Sequence, residues 1–194
     1  MKTNRLIAVF LTVLSLAAGV PAAEVANAKT LRLLTVGNSF SRNATRYLAD
    51  LATAGGYELI HRPIVVGGAS LQLHAEKAQK HDQDAGDKAG LYADGRSLQH
   101  ELAEQSWDFV TIQQASIKSH DLGTYRPYAG QLGDYIRKHA PGAQLLVHQT
   151  WAYRCDDPRF AAKSPKPGEP ATQQAMYQGL CNAYRTIAEE LGAR

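Results

Sequence analysis

From Leu31 onward, short apolar runs alternate with segments whose apolar residues recur at helical spacing. Leu31-Arg32-Leu33-Leu34-Thr35-Val36 predicts a strand that Gly37 ends. Between Arg42 and Ala54, the residues Ala44, Tyr47, Leu48, Leu51 and Ala52 mark one face of a helix, stopped by Gly55-Gly56. A second strand reads from Tyr57 to Val66 despite Pro63, and stops at Gly67-Gly68. Ser70 is placed to cap a helix running to about His81, with Leu71, His74 and Ala78 on one side. The stretch from His81 to Gly95 is polar and reads as a loop or small excursion. A helix from Ser97 to about Gln105 leads into a strand over Trp107–Gln113, and a helix from Tyr125 to His139 leads into a strand over Ala143–His148. A long loop with Pro158, Pro165, Pro167 and Pro170 follows, then a helix from about Thr172 to Leu191 with Gly192 as its stop.

Strand and helix alternate four times. That order predicts an α/β protein, a three-layer doubly wound parallel sheet with helices on both faces. The final helix is a crossover with no strand after it, so the sheet is expected to lack its last strand. The length of 194 residues suits one domain.

Residues 1–28 have a different pattern. Lys2 and Arg5 precede an apolar run from Leu6 to Val20, and Ala26-Asn27-Ala28 offers a cleavage site, the order of a secretory signal peptide. The run is shorter than the roughly 20 residues a membrane span needs. The expectation is therefore an exported protein, periplasmic or secreted, whose domain covers 29–194 and keeps no stable membrane span. The formal charge is +3, and removing Lys2, Arg5 and Glu24 lowers it by one. Dispersed charge of that size gives no footprint for nucleic acid. Cys155 and Cys181 are the only cysteines, and either a disulfide or two free thiols fits their spacing.

In open parallel sheets, ligands bind at the carboxyl ends of the strands. Four loops lie there: Gly37–Ser41, Gly67–Ser70, Gln113–Ser119 and His148–Asp157. A serine at the first of these junctions exposes its hydroxyl and brings its N–H to a helix N-terminus, where it can stabilise an oxyanion. The same position suits a helix cap, so Ser39 and Ser41 are candidates for either role.

Four blocks carry a resemblance: Gly37-Asn38-Ser39-Phe40-Ser41, Gly67-Gly68-Ala69-Ser70-Leu71-Gln72-Leu73-His74, the run Trp107–Gln114, and Gln149-Thr150-Trp151-Ala152-Tyr153. In order and at strand ends, they resemble a subgroup of the SGNH/GDSL hydrolases known chiefly as a domain of unknown function. The match runs from Leu33 to about Leu191. The resemblance implies an SGNH, flavodoxin-like sheet and Ser39 as nucleophile, with Asn38 replacing the usual aspartate in a supporting place. It implies an oxyanion hole with a backbone N–H from Gly67 or Gly68. The asparagine usual after the third strand is absent, and Gln113 and Gln114 carry the same amide donor. Alternation sends one to each face, and Gln114 is the one expected to serve.

The superfamily's base lies in an Asp-x-x-His block after a fifth strand, and nothing in this chain matches it. His74, His148 and Trp151 are candidates to line the cleft. Trp151 and Tyr153, with Tyr125 and Tyr128, are aromatics that could stack on a sugar ring. No histidine pair has zinc-site spacing, so neither metal nor cofactor is expected. The function implied is a serine esterase acting on a small-molecule or polysaccharide ester, in particular deacylation or deacetylation of a carbohydrate. The missing base leaves two alternatives open: an inactive glycan- or ligand-binding protein, and a truncated fragment of an active esterase.

Overall fold

Four parallel strands form one sheet in the order β2-β1-β3-β4. They are β1 (Lys29–Gly37), β2 (Tyr57–Val65), β3 (Phe109–Ile112) and β4 (Gln144–Val147). The computed structural model describes residues 29–161 and 168–194. The expected signal peptide with its cleavage site, and Pro165 and Pro167 of the long loop, lie outside the described residues.

The chain steps from β1 outward to β2, then returns across β1 to β3 and on to β4. Right-handed crossovers turn that reversal into two helical layers. Helices α1 (Ser39–Ala44) and α2 (Leu48–Ala54) lie along β1 and β2, whereas α3 (Leu71–Gln83), α4 (Leu98–Ala103) and α6 (Gln173–Leu191) all pack on α5 (Tyr128–His139). The second layer covers the core. Leu34 and Val36 of β1, Val110 and Ile112 of β3 and Leu145 of β4 meet Leu132, Ile136, Leu180 and Ile187 there. Each such side chain stabilises the fold by about 1.5–3 kcal/mol relative to exposure.

The α1–α2 layer is thin, and this explains where the fold departs from the periodicity. The single helix expected over Arg42–Ala54 is two, interrupted at Thr45-Arg46-Tyr47. The Thr45 hydroxyl donates back to the Ser41 carbonyl (2.9 Å) and the Arg46 N–H to the Asn43 carbonyl (3.3 Å), closing a tight turn. No residue of α2 is buried, so no core contact holds the two halves in line. Trp107, expected inside β3, precedes it as a buried anchor whose Nε1 donates to the Glu101 carbonyl (2.9 Å). The helix expected from Tyr125 starts at Tyr128, after a 3-10 turn over Leu122–Tyr125 and Pro127.

Arg194 lies along the outer edge of β4. Its carbonyl accepts from the Val147 N–H (2.7 Å) and its N–H donates to the Leu145 carbonyl (3.3 Å), the pairing of a neighbouring parallel strand. Cys155 and Cys181 are free thiols, the first exposed and the second half-buried. Among the described residues no helix is long and apolar enough to cross a membrane.

Candidate active site

The turn after β1 separates the two roles open to its serines. Asn38, in extended conformation, is the N-cap of α1: its Oδ1 accepts from the Phe40 N–H at 3.0 Å. Ser41 is fully buried and donates to Gln113 Oε1. Ser39 is exposed on the first residue of the helix. Among the described residues, neither its hydroxyl nor its N–H has a hydrogen-bond partner. Capping thus falls to Asn38, and the Ser39 hydroxyl stands open. Gly37 allows this packing, because a Cβ there would lie 2.6 Å from Gln113 Oε1 and closer still to Ser41 Oγ.

Asn38 also joins the neighbouring loops. Its Nδ2 donates to the Ala69 carbonyl (2.9 Å) beyond β2 and to the Gln114 carbonyl (3.4 Å) beyond β3. Its Oδ1 accepts a second bond, from Gln113 Nε2 at 3.2 Å. A carboxylate could not donate to those two carbonyls. Beside the turn, Gly67 and Gly68 are exposed, and Gly68 has φ +67, the left-handed conformation that glycine adopts without strain. A side chain would find open space at both positions. Their accessible backbone leaves room for a ligand to approach.

The glutamines do not take the place expected of them. Gln114 is fully buried, with Nε2 donating to the Thr124 carbonyl (2.9 Å) and hydroxyl (3.2 Å). Its Oε1 accepts from the N–H groups of Leu71 (3.1 Å) and Ala115 (2.8 Å). Turning this amide toward an oxyanion would break all four bonds, so it acts as a loop brace. Gln113 is equally buried and engaged with Ser41 and Asn38. Periodicity alone could not show that both glutamines are enclosed, because the loops covering them come from elsewhere in the chain.

The fourth loop reaches the same rim. Trp151 is 45% exposed, and its ring lies 4.3 Å from that of Phe40, the residue after Ser39. Tyr153 hydrogen-bonds Ser116 (2.7 Å), tying this loop to the third, and the Arg159 guanidinium covers its ring at 4.1 Å. Tyr125 is buried with its hydroxyl on the Ser119 carbonyl (2.8 Å), and so packs the core instead of meeting a sugar.

The model of a domain of unknown function, DUF4886, matches residues 32–191. The chain belongs to the DUF4886 family. A DUF4886 protein from Bacteroides uniformis is 26% identical, with a TM-score of 0.70; the match covers 86% of this chain and 66% of that one. A candidate SGNH hydrolase from Slackia heliotrinireducens is 27% identical, with a TM-score of 0.58 and coverage of 85% and 77%. TesA shares the fold at 14% identity, TM-score 0.50, with coverage of 84% and 75%. No curated protein matches the chain. This DUF4886 chain therefore has the fold of the SGNH hydrolases, and it spans about two thirds of the length of the Bacteroides uniformis protein.

Within that frame, the histidines sort by environment. His74 was expected to line the cleft, but it is fully buried beneath the first turn. Its Nε2 lies 3.1 Å from the Gly37 carbonyl and its Nδ1 2.9 Å from the Tyr92 hydroxyl. Burial lowers its pKa to about 4. His148, half-buried just past β4, has a pKa lowered by burial, and its N–H donates to the Ile112 carbonyl (2.9 Å). His61 on β2 pairs with the Thr35 hydroxyl (3.0 Å). Among the described residues no group of three or more His, Cys, Asp or Glu side chains is placed to hold a metal ion.

Proposed function

We propose that this DUF4886 chain is a serine esterase with Ser39 as nucleophile, acting on acyl or acetyl esters of carbohydrates. One observation carries the reading: the Ser39 hydroxyl is open at a strand-to-helix turn whose capping is done by Asn38. In the proposed reaction Ser39 Oγ attacks the ester carbonyl carbon, the alcohol leaves, and water hydrolyses the acyl-serine. The developing oxyanion is held by the N–H groups of Ser39 and of Gly68 or its neighbour Gly67. Gln114, whose amide donates to Thr124, braces the third loop and has no part in this hole. The carbohydrate preference rests on Trp151 and Phe40, an aromatic surface beside the serine that suits a sugar ring. Export, read from residues 1–28, completes the proposal.

A second reading, ester binding without turnover, is favoured by one fact: among the described residues, the exposed Ser39 hydroxyl makes no hydrogen bond to a side chain that could take its proton. Reaction of the purified chain with a fluorophosphonate, beside p-nitrophenyl acetate hydrolysis, separates the two. The proposal expects covalent labelling at Ser39, located by peptide mass, with both labelling and turnover lost in Ser39→Ala. A folded wild-type chain that hydrolyses nothing and takes no label at Ser39 would overturn it in favour of the binding reading.

A further inference from the structure

We infer that His74, backed by Tyr92, is a positioning residue that sets the backbone of the Ser39 turn through the Gly37 carbonyl. The inference rests on the reading of Ser39 as nucleophile.

His74 lies on α3 among Leu71, Ala75 and Ala78, where an apolar residue would pack without a buried ring nitrogen. Both of its nitrogens are engaged. A carbonyl oxygen can only accept, so Nε2 carries the hydrogen and donates to Gly37 (3.1 Å). Nδ1 then accepts from the Tyr92 hydroxyl (2.9 Å). The environment keeps both protonation states in place: burial holds the imidazole neutral and keeps the Tyr92 proton on.

Tyr92 comes from the polar excursion between α3 and α4, and that segment is fastened to α3 itself. Lys77 donates to the carbonyls of Ala89 (3.0 Å) and Leu91 (2.6 Å), and its ammonium lies 5.5 Å from the Tyr92 ring centre. The excursion thus acquires a purpose, to hold the tyrosine that fixes the histidine tautomer.

The Gly37 carbonyl receives one more donor, the Val66 N–H at 3.1 Å. Two donors from different elements, the end of β2 and the face of α3, fix the plane of the Gly37–Asn38 peptide. The Asn38 side chain is held independently, by the Ala69 and Gln114 carbonyls. With the peptide before Asn38 and its side chain both fixed, the direction of the Ser39 N–H and Cβ follows.

Backbone amide exchange, resolved to the 37–41 segment, tests this in the full chain with His74→Gln, His74→Phe and Tyr92→Phe variants. Fluorophosphonate labelling rates at Ser39 are measured in parallel. Gln keeps an amide donor near the Nε2 position, whereas Phe keeps only shape. Exchange in 37–41 is expected to rise by roughly tenfold in Tyr92→Phe and by more in His74→Phe, the scale of losing one or two buried hydrogen bonds. Protection in α5 and α6 should hold, labelling should slow by a similar factor, and His74→Gln should stay within about threefold of wild type. Unchanged exchange in 37–41, or a uniform rise across all elements, overturns the inference. If His74→Phe fails to fold, the Tyr92→Phe and His74→Gln pair decides by the same criterion. Absence of label in the wild type would remove the nucleophile reading, while the exchange pattern still decides the role of His74.

Discussion

At the residue scale, the turn after β1 depends on an amide where the wider superfamily uses a carboxylate. Asn38 is 2% exposed and both donates and accepts. Asn38→Asp would keep the cap but turn two donor contacts into carboxylate–carbonyl repulsions inside a dry site. The expected loss is about 2–4 kcal/mol of stability at neutral pH, shrinking under acid as the carboxyl protonates. Urea titrations at pH 7 and pH 5 would measure both. Parts of this site were legible in the chain. Ser39, Gly67 and Gly68 stand out because turns announce themselves through local composition. The roles of Gln114 and His74 were not, because each depends on contacts to residues such as Thr124 and Tyr92 that lie elsewhere in the sequence. A motif gives the residue and leaves its direction undetermined.

At the scale of elements, α3 is clamped to the end of β1 by His74, and that clamp makes the packing sensitive to acid. The imidazole pKa falls from 6.5 in the unfolded chain to about 4 in the fold. The native state therefore binds fewer protons than the unfolded one between those values, and stability drops as pH falls through the window. Above pH 6.5 the contribution is fully present, and below about 4 it is fully lost. The difference amounts to about 3 kcal/mol. Wild type and His74→Gln, unfolded in urea at pH 7 and pH 4.5, should diverge: the variant lacks this component of the decline. Equal slopes for the two proteins would remove His74 as its source. Periodicity located α3, α5 and α6 well, because each presents an apolar stripe to a core. It overran at α1–α2, where the stripe of Tyr47 and Leu51 has nothing to cover and remains 61% and 66% exposed.

At the scale of the whole molecule, alternation was enough to foresee a parallel α/β sheet. The strand order was not readable from it, since order follows from which crossovers share a face. Because all four strands are parallel, their carboxyl-end loops share one rim. The reversal between β1 and β3 sends the connections after those strands to opposite faces, the place where such sheets form a crevice. The proposed place of work lies outside the cytoplasm. Protein recovered from the exported fraction should begin near Lys29 by N-terminal sequencing, and a chain that retains Met1 in the cytosol would count against the leader. One further property follows from the pairing of Trp151 with Phe40. The chain has two tryptophans, and Trp107 is enclosed in the core, 3% exposed. The other indole rests half in water against the residue next to Ser39. Iodide therefore quenches this indole and spares Trp107, so the quenchable part of the emission is an optical gauge of occupancy at that rim, readable without any reaction taking place.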